Sequence, residues 1–354
     1  IDSGQVKICN HAFKGCTGLE NILIFKASLI KIGSECFADS VNLKAAAFVA
    51  GSVILGSNFI QNCKTLSSIA IESDDNLTIP ANTFGSNNLK CVKLVTKSAL
   101  KLDDSFFKNS SKIENIELSF KQIDINKNCF STCSLLSMIT LQCEEEIHIS
   151  NDYFTGCKSL KTLFLSSKFS IFICNQFMNG SEKLESVEIS GLYVSIGSYC
   201  FNNCQSLSQF SIKKTSQVDI KEGQFINCNK LDKISIQSSI VDISPKQICN
   251  YKSLKQIKIE SNSQIFLRAH CFNGFVSLEN VSISGENILF EENCFKNCSN
   301  LNTINLIKAK NLTFGSSVFC NCSNLTEVNF KLESNLICGH DCFYGSNVRK
   351  ATFE

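Results

Sequence analysis

Cysteine is the residue in this chain with the most potential for chemistry: there are 21 cysteines, against 4 histidines, in 354 residues. Most of them stand at two fixed places relative to a repeated phenylalanine, three residues after it or one residue before it. The first place holds Cys16, Cys63, Cys133, Cys157, Cys204, Cys228, Cys298 and Cys322, and the second holds Cys36, Cys129, Cys200, Cys271, Cys294 and Cys342. Thiols at such spacings could bind a metal or form disulfides.

A zinc site needs about four ligands in one compact cluster. The cysteines are instead spread along the chain, and other repeats hold Ser40, Ser110, Ala12 or Phe106 at the same places. We therefore interpret the cysteines as small buried core side chains and predict no metal site.

The run from Cys338 through His340 to Cys342 also resembles a set of metal ligands. Cys338, however, falls at a core place of a second strand, and Cys342 at the place before the repeated phenylalanine. We interpret both as core residues.

Disulfides are harder to exclude than a metal. Residues at one place on adjacent coils would lie about 4.8 Å apart, within the range that a disulfide spans. Four such pairs occur: Cys133/Cys157, Cys204/Cys228, Cys271/Cys294 and Cys298/Cys322. Because side chains of a parallel ladder point the same way, the geometry suits a disulfide poorly, and we predict free thiols.

Catalytic signatures are missing from the sequence. The four histidines share no repeat position with a nucleophile and an acid, so no triad is visible, and no glycine-rich phosphate-binding motif follows a strand. We predict no catalytic residue, no cofactor and no enzymatic activity.

The element that positions the cysteines is a repeat of the form F-x-x-C-x-x-L-x-x-I-x-I, with anchors 23 or 24 residues apart. The anchors are Phe13, Phe37, Ile60, Phe84, Phe107, Phe130, Phe154, Met178, Phe201, Phe225, Ile248, Phe272, Phe295, Phe319 and Phe343. The I-x-I alternation indicates one strand, and a second apolar pair before the next anchor indicates another. The 2 prolines agree with parallel ladders, which need every backbone N–H.

This repeat predicts a mainly β fold: a right-handed leucine-rich-repeat solenoid of about 15 coils of 23–24 residues, with two short parallel strands per coil and little or no helix. We expect one domain over residues 1–354. Because the sequence starts and stops within coils, we interpret it as a fragment without its own caps, whose open end coils predict self-association.

Charge and hydropathy argue against several partners. Lys and Arg total 34 and Asp and Glu total 32, and no block of like charge stands out, so we expect no nucleic acid partner. No apolar run reaches the length of a membrane span, so we expect no membrane insertion by this segment.

The repeat motif resembles the BspA-like leucine-rich repeat over the whole chain, although the Ile-Pro that often follows the family's strand is mostly absent. The family comprises surface or secreted proteins of anaerobic bacteria and parasitic protists such as trichomonads. The resemblance implies a cell-surface or secreted adhesion module that binds a host-cell or extracellular-matrix protein or glycan. The alternative is a cytoplasmic protein-interaction scaffold, which many unpaired cysteines would favour.

Specificity would reside in the outward positions of the first strands. These are unusually apolar in the first three coils and polar in later ones. The predicted partner-binding residues are Leu23, Phe25, Ala45, Ala47, Val49 and Ala70. An exposed apolar patch indicates a contact surface; the alternative is that a preceding segment of a longer chain covers it.

Overall fold

The computed structural model describes residues 4–75, 77–81, 83–85, 87–102, 106–125, 129–150, 153–154, 156–249 and 252–353. The protein is a parallel β-solenoid of about 14 turns, and the described residues contain no helix. The predicted fold class is thus confirmed. Fifteen anchors delimit fourteen intervals, which accounts for the difference between the predicted and the observed number of turns.

Contacts within the chain group it into two compact units, Ile1–Lys168 (unit 1) and Phe169–Glu354 (unit 2). Unit 1 contains β1 (Gln5–Ile8), β2 (Asn21–Ile32), β3 (Ala45–Leu55), β4 (Ser68–Ser73), β5 (Leu77–Thr78), β6 (Cys91–Thr96), β7 (Ala99–Leu102), β8 (Asn115–Phe120), β9 (Gln122–Ile125), β10 (Met138–Cys143), β11 (Ile147–Ile149) and β12 (Thr162–Ser167).

Unit 2 has the same alternation of first and second strands. It contains β13 (Ser170–Ile173), β14 (Ser186–Ser190), β15 (Tyr193–Ile196), β16 (Gln209–Ile220), β17 (Lys233–Ile243), β18 (Gln256–Glu260), β19 (Gln264–Leu267), β20 (Asn280–Ser284), β21 (Asn287–Phe290), β22 (Thr303–Phe314), β23 (Glu327–Cys338) and β24 (Lys350–Phe353).

Strand register follows the repeat length, so equivalent residues of successive coils pair side by side. In unit 1, Ile69 of β4 pairs with Val92 of β6, which pairs with Ile116 of β8, and all three are buried. The residues between them in sequence are partly exposed. Alternation with period 2 therefore gives each ladder one inward and one outward face.

The anchors form the aromatic stacks that the repeat predicts. Ring centroids of Phe107 and Phe130 lie 5.3 Å apart, those of Phe130 and Phe154 lie 5.2 Å apart, and in unit 2 Phe295 and Phe319 lie 5.5 Å apart. All of these rings are buried. Full burial of one such side chain stabilises the fold by about 1.5–3 kcal/mol, so the stacks are a main source of stability in both units.

The turn after each anchor requires a left-handed residue two positions on. The non-glycine residues there have φ between 57° and 63°: Asp39, Asn62, Asn109, Asn203, Asn227, Asn297 and Asn321. Asparagine and aspartate tolerate this conformation better than other side chains. Sequence reasoning missed this position, although the recurrence of Asn, Asp and Gly two residues after the anchor was a visible signal.

Two kinds of bend connect the first strand of a coil to its second. Most coils break between the strands, whereas β2, β16 and β22 run through the bend as continuous strands of 12 residues. Each of these three carries a lysine with positive φ at the bend, Lys26, Lys214 and Lys308. Strand register shifts at the same point because the coil holds an extra residue there.

Candidate functional site

The outward face of the first strands in unit 1 carries a continuous column of side chains. Strand pairing aligns, one per coil, Leu23, Ala47, Ala70, Lys93, Glu117 and Thr140. The column two residues earlier aligns Asn21, Ala45, Ser68, Cys91, Asn115 and Met138. The first column changes from apolar to charged within three coils.

These two columns enclose a concavity of about 430 Å³, which we call the groove. Its lining is Leu23, Ala45, Ala46, Ala47, Ser68, Ile69, Ala70, Cys91, Val92, Lys93, Asn115, Ile116, Glu117, Met138 and Thr140. Alanine and serine side chains are short, so the middle of the face lies low between longer neighbours. Leu23, which is 63% exposed, and Met138, which is 39% exposed, add apolar surface.

Four of the six predicted residues, Leu23, Ala45, Ala47 and Ala70, lie together in the groove. Val49 instead lines a different concavity, of about 520 Å³, at the bend beside Lys26. Phe25 is 49% exposed on β2 and lines neither concavity. The other groove residues escaped sequence reasoning, because their outward columns become polar after the third coil. Counting 23 or 24 residues from Ala47 and Ala70 would have reached Lys93 and Glu117.

Charge within the groove is balanced by ion pairs between coils. Lys93 Nζ lies 3.1 Å from Glu72 Oε1 and 3.7 Å from Glu117 Oε1. The hydrogen bond to Glu72 is the largest influence that raises the pKa of Lys93. Both carboxylates hold the ammonium group near the strand surface. The groove therefore joins an apolar floor to a polar edge of mixed charge.

The cysteines three residues after the anchor are buried, as predicted, and they also donate hydrogen bonds. The Sγ of Cys63 donates to the Phe37 carbonyl at 3.2 Å, and that of Cys298 donates to the Phe272 carbonyl at 3.2 Å. In both cases the acceptor is the anchor of the preceding coil. Ser40 makes the same bond to Phe13 at 3.2 Å, which explains why serine and cysteine exchange at this position.

Burial keeps these thiols protonated. It raises the pKa of Cys63 to about 11 and that of Cys133 to about 12. A thiol held in its neutral form is a poor nucleophile and a poor metal ligand. The chemistry that the cysteine spacing suggested is thus replaced by packing and hydrogen bonding.

The cysteines of the run 338–342 differ from each other. Cys342 is buried and its Sγ donates to the Gly315 carbonyl at 3.1 Å. Cys338 is exposed, so its assignment to the core was wrong. The register gives its strand half a partner in β22 but pairs only the first half of β23 with β24, which leaves Cys338 uncovered on one side. In the described parts of the chain, no group of three or more His, Cys, Asp or Glu residues is placed to hold a metal ion.

The groove and the repeat can now be compared with known proteins. The sequence matches the family model described as BspA type Leucine rich repeat region (6 copies) over residues 1–112, 54–183, 172–302 and 251–354. The chain belongs to the BspA-type leucine-rich-repeat family. The resemblance drawn from the F-x-x-C motif is thereby confirmed. This fold is typical of protein–protein interaction modules and is generally non-enzymatic.

Among solved structures, the crystal structure of a TLR13–ssRNA13 complex is 17% identical, with a TM-score of 0.64 over 87% of this chain and 49% of that chain. A leucine-rich repeat protein from Bacteroides ovatus is 19% identical, with a TM-score of 0.35 over 98% and 82%. A leucine rich cell surface protein from Faecalibacterium prausnitzii is 18% identical, with a TM-score of 0.21 over 85% and 83%.

These identities concern the fold alone. The chain spans about half the length of the TLR13 chain that it matches. No curated protein matches the sequence. None of the described residues form a helix long and apolar enough to cross a membrane.

Proposed function

We propose that this chain is a non-enzymatic adhesion or recognition module that binds a host-cell or extracellular-matrix protein or glycan through the exposed strand face of unit 1. The observation that carries the proposal is the groove, where Leu23, Ala45, Ala47 and Ala70 form an apolar floor beside Lys93 and Glu117. Exposed apolar surface with a polar rim is a common property of contact sites.

A protein is the partner that the groove fits best. A floor of alanines accepts an apolar side chain, and Leu23 is exposed enough to contact one. Lys93 lies between Glu72 and Glu117, so the adjoining edge offers both a cation and carboxylates. Such an edge would orient a partner by complementary charge while the apolar contact supplies affinity.

The location that follows from the family resemblance is the cell surface or the extracellular space. An intracellular scaffold is the second candidate, and the state of the cysteines favours it. Cys63, Cys204 and Cys298 donate to backbone carbonyls rather than forming disulfides. Disulfides form readily in oxidising compartments, whereas free thiols are usual in the cytosol.

Surface labelling of intact cells that express the full-length protein would separate the two candidates. Biotinylation by a reagent that does not enter cells is the expected result for an adhesion module. Absence of label, with a cytosolic control protein also unlabelled and the chain present in the lysate, would contradict adhesion and leave the scaffold.

Binding by the groove is tested with purified fibronectin, laminin and collagen as immobilised probes. We expect at least one to bind the wild-type chain and Ala47→Glu to weaken that binding tenfold or more, because a carboxylate on the apolar floor loses water without gaining a partner. Ser235→Glu is the matched control, since Ser235 occupies the same outward strand position in unit 2. Equal loss in both variants, or unchanged binding of the folded Ala47→Glu chain, would rule out the groove.

A further inference from the structure

Unit 2 holds a concavity of about 610 Å³ at the bend between first and second strands, which we call the trough. Lys214 lies at one side and Lys308 at the other, with Ser239, Asn262 and Gly285 between them. It is larger than the groove and lined mostly by polar side chains.

The trough exists because of the extra residue in β16 and β22. Strand register shifts between Ile212 and Thr215 in β16 and between Leu306 and Ala309 in β22. The pairings of β17 with β18 and of β18 with β20 show no such shift. The two long bends are four coils apart, or about 19 Å at the spacing of paired strands. They form two ridges, with the shorter coils as the floor.

A lysine at the crest of each ridge has no backbone explanation. The left-handed conformation costs a non-glycine residue about 1 kcal/mol, and the turn after the anchor meets the same demand with asparagine, aspartate or glycine. Two residues before the anchor, left-handed residues are of many types, from His11 to Ser317. At the long bends all three are lysine, Lys26, Lys214 and Lys308. Strain kept where a smaller residue would relieve it indicates a use for the amino group.

The charges of the trough leave these two lysines unneutralised. Glu286 is paired with Lys310 at 2.9 Å, and Glu260 is paired with Lys258. Lys214 and Lys308 are exposed and have no carboxylate within 4.0 Å among the described residues. The trough therefore offers two free ammonium groups, one on each side of its floor.

The floor itself is suited to hydroxyl groups. The hydroxyls of Ser238 and Ser261 donate to the carbonyls of Ile240 at 2.8 Å and Ser239 at 2.6 Å, which leaves their oxygen lone pairs as acceptors. Gln237 and Asn262 present exposed amides, which both donate and accept. The described lining includes no aromatic or large aliphatic side chain that would make a pocket for an apolar group.

We propose that the trough binds an oligosaccharide bearing anionic groups, with one such group on Lys214, another on Lys308 and the sugar hydroxyls on the floor. An acidic peptide is the competing class, and it fits less well because the floor offers hydrogen-bonding groups but no apolar contact for side chains. This site is separate from the groove, and its test does not depend on what the groove binds.

The test measures binding of four fluorescent probes to the whole chain at low ionic strength, where screening is weak. The probes are a heparin tetrasaccharide, its fully desulfated counterpart, a tetragalacturonate and a tetra-aspartate peptide. Binding of the heparin probe alone assigns the anionic group as sulfate, and binding of the galacturonate as well shows that a carboxylate suffices. Failure of all three tetrasaccharides overturns the proposal, and so does equal or tighter binding of the peptide.

Substitution by glycine separates the amino group from the backbone. Lys214→Gly and Lys308→Gly keep the fold, because glycine adopts the left-handed conformation freely. We expect each to weaken the tetrasaccharide tenfold or more, since each loses a charged hydrogen bond, and Lys214→Arg to retain binding. Lys26→Gly is the matched control at the equivalent bend of unit 1. Unchanged binding by the two folded trough variants, or an equal loss in the control, overturns the proposal.

Discussion

The groove of unit 1 and the trough of unit 2 are built on the same coil and differ in chemistry. The groove lies on the first strands and has a floor of Ala45, Ala47 and Ala70, whereas the trough lies at the bend and has a floor of serine and amide side chains. Neither difference involves the inward positions. A solenoid can therefore acquire a new surface by changing outward residues or by adding one residue at a bend.

The interiors of the two units, by contrast, repeat the same contacts. Phe107 and Phe130 stack in unit 1 as Phe295 and Phe319 do in unit 2. A thiol donates to the carbonyl of the preceding anchor in both units. If the comparison is sound, interior substitutions have equal effects in the two units.

Loss of an anchor ring should have the largest effect. We expect Phe130→Ala and Phe295→Ala each to lower the free energy of unfolding by about 3–5 kcal/mol, because each leaves a cavity in a stack that is fully buried. Urea denaturation of the purified chain measures this. Tyr344→Ala, at a side chain 70% exposed, should change stability by less than about 0.5 kcal/mol. A large loss in only one unit would break the comparison.

Replacement of the hydrogen-bonding thiols should come next. We expect Cys63→Val and Cys298→Val to destabilise the chain by about 1–3 kcal/mol, because valine cannot donate to the anchor carbonyl and has an extra branch in a packed site. Cys63→Ser and Cys298→Ser should lose less, since Ser40 makes the same bond. Thermal unfolding under reducing conditions measures both pairs. Serine variants no more stable than the valine variants would show that the hydrogen bond contributes nothing.

Alkaline pH should weaken the fold through the same thiols. Burial raises the pKa of Cys63 to about 11 and that of Cys200 to about 12, from 9.0. Above about pH 9 the unfolded chain releases these protons and the folded chain retains them, so stability falls from there up to about pH 12. Melting temperatures measured across that range should fall less steeply in the Cys63→Ser/Cys200→Ser variant. Parallel curves would contradict a role for the thiols.

The left-handed turn residues should have a smaller and equal effect in the two units. Asn62→Ala and Asn227→Ala force alanine to φ near 60°, at a loss of about 1 kcal/mol each. Asn62→Gly and Asn227→Gly are the controls, and we expect them to differ little from the wild type. Urea midpoints would show it. Alanine variants as stable as the glycine ones would mean that the turn adapts.

One interior position in unit 1 departs from the pattern and offers the smallest effect. Ser110 stands three residues after Phe107, and its buried Oγ has no hydrogen-bond partner among the described residues. We expect Ser110→Cys to raise the melting temperature slightly, by about 1 kcal/mol or less in free energy, because a thiol suits a site where a lone hydroxyl is unsatisfied. Ser40→Cys is the control, since Ser40 already has its partner and should gain less.

The sequence by itself determined the coil, its strands and its interior. Anchors 23 or 24 residues apart and the I-x-I alternation identify inward residues such as Phe130, Ile69 and Leu231, because apolar periodicity records burial directly. The family followed from the same motif. Four of the six predicted partner-binding residues lie together in the groove for a similar reason: outward positions of neighbouring strands can be counted.

Only the tertiary structure decided how the outward residues combine. Val49 lies with Lys26 at a bend rather than in the groove, and Cys338 is exposed although its place in the repeat is inward. Lys214 and Lys308, far apart in sequence, face one trough because an extra residue raises each bend. Periodicity reports which side of a strand is buried; whether a position is covered, and which ridges enclose a cavity, depends on how neighbouring coils stack.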